Sequence, residues 1–161
     1  MGSQYSPSGM LKWIKQLGTS DNDYSEGVAT DSNGNVCITR VTLGALGGTS
    51  KGFEDAWVAE YSPNGSLKWI KQLGTSGIDY SNGIATDSNG NVFITGKTFG
   101  ALGGTNKGRF DAWAAKFDPQ GKQLWLRQDG TLRYDEALGI AVDSNGDMIT
   151  TGYTDGNFSR D

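Results

Sequence analysis

Hydrophobic and polar residues alternate with a period of two along most of the chain, which is typical of half-buried β-strands and not of helices. In the middle of the sequence, two short β-branched segments, GIATD (83–87) and NVFITG (91–96), flank Ser88-Asn89-Gly90. Asp87 and Gly90 suit a tight turn that ends on a glycine in the left-handed region. The pattern therefore predicts a hairpin, whose strands we call A and B.

A second pair of segments follows the same logic. AWAAKF (112–117) and QLWLRQ (123–128) flank Asp118-Pro119-Gln120-Gly121, where proline and glycine favour a tight reverse turn. These segments predict strands C and D. Four consecutive antiparallel strands with frequent turns form a meander, and a meander repeated at a fixed period is the blade of a β-propeller.

The chain repeats this unit. Residues 5–60 and 61–116 match at 41 of 56 positions without a gap, and a third, more diverged copy runs from 117 to 161, where it is incomplete. We therefore predict one all-β propeller domain over 1–161, with four-stranded antiparallel blades and about three blades per chain. The tryptophans recur with the same period and are expected to lie between neighbouring blades, at Trp13, Trp69 and Trp125 and at Trp57 and Trp113.

The order of strands predicts self-association. The chain opens in strand C, continues through D, runs twice through ABCD and finishes with A and B. Because propellers typically have four to eight blades, three cannot close a ring. We expect a homodimer that forms a six-bladed ring, with blades completed between chains. The alternative is a truncated propeller piece that associates irregularly, and Met1-Gly2-Ser3 resembles an expression scar.

Composition excludes several classes of function. A net charge of −4 and an isoelectric point near 4.8 argue against nucleic-acid binding, which needs a basic surface. No long apolar run is present, so no membrane insertion is predicted. The single cysteine, Cys37, excludes an internal disulfide and aligns with Phe93 and Ile149, as an apolar strand residue would. The absence of histidine removes the usual general base near neutral pH, so we predict no enzyme.

Three aspartates occupy one repeat position just before strand A: Asp23, Asp79 and Asp135. In a closed dimer they would form a ring of six carboxylates near the central channel, and Ca²⁺ prefers such oxygen ligands. The alternative interpretation is that each carboxylate accepts hydrogen bonds from its own loop. Apart from this Ca²⁺ hypothesis, the sequence predicts no cofactor.

The longer B–C and D–A connections are expected on one face of the ring, where binding residues concentrate on rigid scaffolds. Lys51 and Lys107, together with Phe99 and Phe110, are candidates for a polar and aromatic pocket there. Such a pocket would suit a glycan or a peptide ligand. The alternative is that these lysines are ordinary solvated loop charges.

Three motifs resemble a known family: GxLxWxKQLG, DYSxGIATDSNGNVFITG and DAWxAKFDPxG. Their succession is similar to the SBBP-type β-propeller repeat of bacterial, often surface-associated, proteins. The resemblance implies a propeller fold, usually inside longer proteins, and a secreted or cell-surface bacterial parent protein. It implies no common catalytic residues.

The functional prediction is a non-catalytic propeller module for binding or scaffolding, which assembles through its own blades. The near-identity of its copies indicates recent blade amplification or engineering. The alternative is a multivalent, lectin-like propeller with one weak carbohydrate site per blade.

Overall fold

The computed structural model describes residues 1–158. They form twelve β-strands and, within this range, no helix: β1 (Gly2–Tyr5), β2 (Leu11–Lys15), β3 (Asp23–Thr30), β4 (Val36–Thr42), β5 (Asp55–Tyr61), β6 (Leu67–Leu73), β7 (Asp79–Thr86), β8 (Val92–Thr98), β9 (Asp111–Phe117), β10 (Gln123–Asp129), β11 (Asp135–Val142) and β12 (Met148–Thr154). In these residues no helix could cross a membrane.

The strands pair as the sequence predicts. β3–β4–β5–β6 and β7–β8–β9–β10 are complete four-stranded antiparallel sheets, which we call the first and second blades. β1–β2 and β11–β12 are two-stranded sheets at the two ends. They correspond to strands C and D and to strands A and B of a blade. The all-β class, the meander and the strand order are therefore confirmed.

The tight turns at A–B and C–D positions share one geometry. Each contains a glycine with φ between 77° and 84°, namely Gly9, Gly34, Gly65, Gly90, Gly121 and Gly146. At the turn of the second blade, Asp87 Oδ1 accepts hydrogen bonds from the backbone N–H groups of Asn89 and Asn91, both at 2.9 Å. The left-handed glycine and a capping side chain fix each hairpin, and this side chain is an aspartate in four turns and a serine, Ser6 or Ser62, in the other two.

The core lies within and between the sheets. One cluster joins the first and second blades and includes Trp69, Trp113 and Phe117, and another joins β1–β2 to the first blade and includes Trp13, Trp57 and Tyr61. Trp13 stacks on Tyr61 and Trp69 stacks on Phe117, each at 6.0 Å between ring centroids. Cys37 is fully buried, and this burial raises the pKa of its thiol to about 12. Cys37 and four of the five periodic tryptophans, all but Trp125, thus fill the apolar interior.

The A strands lie side by side, since β7 contacts both β3 and β11. An added Cβ on Gly27 would lie 3.1 Å from Ile84 Cγ2, and one on Gly83 would lie 2.8 Å from Ile140 Cγ2. β7 and β11 therefore each place an isoleucine against the glycine of the preceding A strand. Because a side chain on either glycine would meet this isoleucine, the close approach needs glycine.

The predicted strand boundaries are shifted by one or two residues in strands B, C and D, and the largest difference is in strand A. Strand A of the second blade begins at Asp79, four residues before the predicted start at Gly83. A register shift between Ser81 and Gly83 interrupts the pairing with β8, so the period-two pattern is lost there. The aspartates expected before strand A are consequently its first residues.

Candidate binding surface

The longer connections define what we call the long-loop face. It comprises the B–C loops 43–54 and 99–110, the D–A loops 16–22, 74–78 and 130–134, and the strand ends next to them. All the candidate site residues predicted from the sequence lie on this face. Functional residues often lie on such loops because the sheets beneath hold them in place.

The three equivalent aspartates bind their own loops. Asp79 Oδ2 accepts the Thr75 backbone N–H at 2.6 Å and the Thr75 hydroxyl at 2.9 Å, while Oδ1 accepts the Thr98 hydroxyl. Asp23 makes the same bonds with Thr19 and Thr42. Burial raises the pKa of Asp79 because it disfavours the charged form, and the threonine hydrogen bonds offset this only in part.

At the third copy, Asp135 repeats the contact with Thr131. Its Oδ1 is buried without a hydrogen-bond partner among the described residues. Within residues 1–158 no three acidic or cysteine side chains come close enough to hold a metal ion. A Ca²⁺ ring formed by Asp23, Asp79 and Asp135 of two chains stays a prediction.

The predicted ligand residues separate into two groups. Phe99 and Phe110 meet edge to face, with ring centroids 5.2 Å apart. Lys107 lies instead on Asp129, with 2.5 Å between Nζ and Oδ1, and both side chains are more than half exposed. The Lys51 backbone N–H donates to Asp55 at 2.8 Å, and its side chain is exposed.

A cation that the sequence analysis did not single out lies beside these phenylalanines. Lys97 Nζ is 5.2 Å from the ring centroids of Tyr80, Phe110 and Tyr134. It donates to the Tyr134 hydroxyl at 2.5 Å and pairs with Glu136 at 3.1 Å. Burial by itself lowers the pKa of Lys97, but the hydrogen bonds to Tyr134 and Glu136 outweigh it and raise the pKa. We call this arrangement, between the second blade and β11–β12, the lysine cage.

The equivalent position between the first and second blades is open. A cavity of about 320 Å³ lies there, which we call the first-junction cavity. Its lining consists of polar, aromatic and charged side chains with one valine: Tyr24, Ser25, Glu26, Arg40, Val41, Glu54 and Tyr80. Val41 occupies the repeat position of Lys97.

Hydrogen bonds fix the walls of this cavity. Arg40 pairs with Glu26 at 2.9 Å and donates to Asn82 Oδ1 at 2.9 Å. The Tyr80 hydroxyl donates to Glu54 Oε2 at 2.6 Å. Burial, followed by this bond to Glu54, raises the pKa of Tyr80 to about 12. Tyr80 therefore stays neutral and keeps donating to Glu54 throughout the physiological pH range.

A signal for this region was present in the repeats. The two complete copies match at 41 of 56 positions, and nine of the remaining 15 lie in the long loops or at the adjoining ends of strands A and B. These nine pairs are Asp21/Gly77, Asn22/Ile78, Glu26/Asn82, Arg40/Gly96, Val41/Lys97, Leu43/Phe99, Ser50/Asn106, Phe53/Arg109 and Glu54/Phe110. The scaffold is thus nearly identical between copies, and the differences gather on one face.

Comparison with known proteins gives matches of several kinds. The model of the SBBP β-propeller repeat matches residues 12–39 and 68–103. An uncharacterized WD repeat-containing protein of Acanthamoeba polyphaga mimivirus is 29% identical over 108 residues, covering 60% of this chain and 8% of that protein. The regulatory protein FlaEY of Caulobacter vibrioides is 26% identical over 166 residues, covering 92% of this chain and 17% of that protein. The chain therefore spans less than a fifth of each of these relatives.

A solved structure of similar shape is a protein of unknown function from Bacteroides caccae. It has a TM-score of 0.49 at 15% sequence identity, and the match covers 90% of this chain and 43% of that one.

Proposed function

Because the chain carries β-propeller repeats of the SBBP type, we propose that it is a non-catalytic binding or scaffolding module whose blades are completed by a second copy. The proposal is supported by three kinds of contact between neighbouring strands or blades. Each is made inside the chain, whereas at the two end sheets one of the two partners is missing. Each open position at one end matches an open position at the other.

The first such match is a pair of strand edges. β8 pairs with β9 from Val92↔Phe117 to Thr98↔Asp111, and β4 pairs with β5 in the same register. Within residues 1–158, β12 pairs only with β11 and β1 only with β2. Applying the 56-residue period, β12 of one chain would pair with β1 of another so that Thr150 faces Ser3. Unpaired strand edges readily accept another strand, and here the repeat supplies the register.

The second match concerns the A strands. Ile84 covers Gly27 and Ile140 covers Gly83, whereas among the described residues an added Cβ on Gly139 would meet none from another blade within 4 Å. The side chain that would continue the series is Val28, which is 66% exposed in the single chain. Val28 of one copy therefore fits on Gly139 of the other.

The third match concerns the tryptophans of strand D. The ring of Trp69 lies over Gly121, 2.7 Å from an added Cβ, and Trp69 Nε1 donates to the Pro119 carbonyl at 3.2 Å. Trp13 does the same with Gly65 and Pro63. Within residues 1–158, Gly9 has no neighbour within 4 Å of an added Cβ, and Trp125 is only half-buried. Trp125 of one copy would thus cover Gly9 of the other.

These three contacts together describe a closed ring. Twelve strands at four per blade amount to three blades, so two copies supply six, which is within the usual range for propellers. The two contacts between the chains, which we call seams, would be identical and related by a two-fold axis. The open positions of both chains would then be filled at once. The ring would carry all its long loops on one face, as a surface for a ligand.

Disulfide trapping tests the proposed seam. We would mix a Ser3→Cys chain with a Thr150→Cys chain under mild oxidation and run non-reducing gel electrophoresis. Directly opposed residues of antiparallel strands have Cα atoms roughly 4.5–5.5 Å apart, which suits a disulfide. The native Cys37 is fully buried and gives little background. We expect a covalent dimer.

The matched control replaces Thr150→Cys by Ile149→Cys, one residue along β12. A shift of one residue turns the side chain to the opposite face of the sheet, so cross-linking with Ser3→Cys should fall sharply. Adding Val28→Arg to both chains should also suppress the covalent dimer, because an exposed residue of the single chain becomes buried in the seam. No dimer, or equal dimer with both β12 cysteines, would contradict the proposal.

A further inference from the structure

We infer that the first-junction cavity binds a primary alkylammonium group, such as the lysine side chain of a partner protein. This deepens the proposed function, since it assigns a ligand class to the long-loop face. The inference starts from the lysine cage, where the chain places its own ammonium group at the equivalent position.

The two junctions have equivalent parts. In the lysine cage, the rings of Tyr80, Phe110 and Tyr134 and the carboxylate of Glu136 surround the Lys97 ammonium group. Aromatic faces and a carboxylate both attract a cation, and partial burial strengthens the attraction. The lysine cage therefore shows that rings and a carboxylate at this position of the fold can bind an ammonium group.

The first junction has similar elements, but its own cation is Arg40, whose guanidinium carbon lies 5.5 Å from the Tyr80 ring centroid. Tyr24 stands at the repeat position of Tyr80, and Tyr80 itself closes the other side of the cavity. The carboxylate comes from Glu54, at the position of Phe110, and not from the A strand. Val41 replaces Lys97, so the space taken by a lysine side chain in the cage is open here.

The charges around the cavity also favour a cation. Glu26 is paired with Arg40 at 2.9 Å, so these two groups compensate each other. Glu54 accepts a bond from the neutral Tyr80 hydroxyl and makes no ion pair in the described residues. The lining therefore carries one uncompensated negative charge.

The size of the cavity fits the ligand class. Its volume of about 320 Å³ lies at the lower end of the range for small-molecule sites, which suits a single alkylammonium chain. Every lining residue belongs to β3, β4, the adjoining B–C loop or β7 of one chain. The site is thus complete without a second copy.

A titration followed by ¹H–¹⁵N correlation NMR tests this inference, with n-butylammonium chloride as the probe and n-butanol as its neutral counterpart. We expect saturable shifts at the backbone amides of Tyr24, Val41, Glu54 and Tyr80. Binding of the alcohol should be weaker by about tenfold, because it lacks the charge that the rings and Glu54 attract.

Two reciprocal variants make the test specific. Val41→Lys should fill the cavity as Lys97 fills its cage and abolish the saturable shifts, whereas the matched control Val41→Leu should retain most of the binding. Lys97→Val should open a second site, with new saturable shifts at Phe110 and Tyr134. Native ammonium binding would then rise from one site per chain to two.

Three results would overturn the inference. They are the absence of saturable shifts with butylammonium, equal binding of the alcohol, and binding that persists in Val41→Lys. Saturable shifts of the same amides with the neutral sugar N-acetylglucosamine alone would assign the cavity to carbohydrate instead. Because the site lies within one chain, a monomeric protein that binds butylammonium would refute only the ring, and a dimer that does not bind would refute only the site.

Discussion

Strands β8 and β12 occupy equivalent positions in successive repeats, yet their environments are opposite. Six of the seven residues of β8 are buried, whereas six of the seven residues of β12 are exposed. Phe93 is 1% exposed, and its counterpart Ile149 is 49% exposed. β8 has strand partners on both edges, while β12 has only β11 among the described residues.

This contrast shows where the core of a repeat protein comes from. A repeat cannot bury its own apolar face, and each one relies on contacts with its neighbours. Strands at equivalent repeat positions can therefore be an interior strand in one place and a surface strand in another. In the proposed ring, the exposed β12 face would become equivalent to that of β8, because a second copy would supply strands C and D.

The largest expected effect compares two tryptophans. Trp69→Ala removes a ring that stacks on Phe117 and covers Gly121, and it should lower the free energy of unfolding by about 3–5 kcal/mol. Trp125→Ala should cost much less in the monomeric chain, where this ring is half-buried, and approach the Trp69 value in the closed dimer. Urea unfolding at low and high protein concentration measures both.

The control for this pair of variants is how the loss in unfolding free energy depends on protein concentration. The Trp69→Ala penalty should already be present in dilute protein, since its contacts lie within one chain. If the Trp125→Ala penalty stays small at every concentration, the proposed seam does not form.

A smaller effect compares the two junctions inside the chain. At the first, the buried Ser81 hydroxyl lies 2.5 Å from Thr39 Oγ1 and donates to the Arg40 carbonyl at 2.9 Å. At the second, Ala137 takes the position of Ser81. Ser81→Ala should cost about 1 kcal/mol because buried hydrogen bonds are lost. Thermal unfolding checks the value, and a neutral result would show that the junction does not depend on this hydroxyl.

The smallest expected effect concerns pH. Burial alone would raise the pKa of Asp87, but hydrogen bonds from Asn91 and Asn89 outweigh it and lower the pKa. A lowered folded-state pKa stabilises the protein above the ordinary aspartate value, and this contribution is lost as the pH falls through the folded-state pKa. Asp87→Ala should therefore be destabilising by up to about 1 kcal/mol near pH 7 and by less near pH 3.

Chemical unfolding at these two pH values measures the difference, with Ser32→Ala in the equivalent turn of the first blade as a control outside the aspartate hydrogen bonds. An equal penalty for Asp87→Ala at both values would mean that the ionised carboxylate adds nothing to the turn.

Much of this fold was predictable from sequence. The strands, the order of blades and the six glycine turns follow from local patterns and from the repeat. The start of strand A was missed because the Ser81–Gly83 irregularity breaks the alternation. That error is local, and it does not change which residues share a face.

The lysine cage was not predictable in the same way. Lys97, Phe110 and Tyr134 come from a B strand, a B–C loop and the following D–A loop, so no local pattern joins them. Lys107, which was considered beside Phe110, lies on Asp129 instead. The available signal was the set of differences between near-identical copies, which marks the face without giving its contacts.

Native mass spectrometry across a dilution series measures ring closure directly. If two chains close one ring, the 17.2 kDa chain should appear mainly as a dimer of twice that mass, and Val28→Arg should shift it to a folded monomer. A wild-type protein that stays monomeric at micromolar and higher concentration would contradict ring closure. The end sheets would then stand alone, and the matched glycines and exposed side chains would need another explanation.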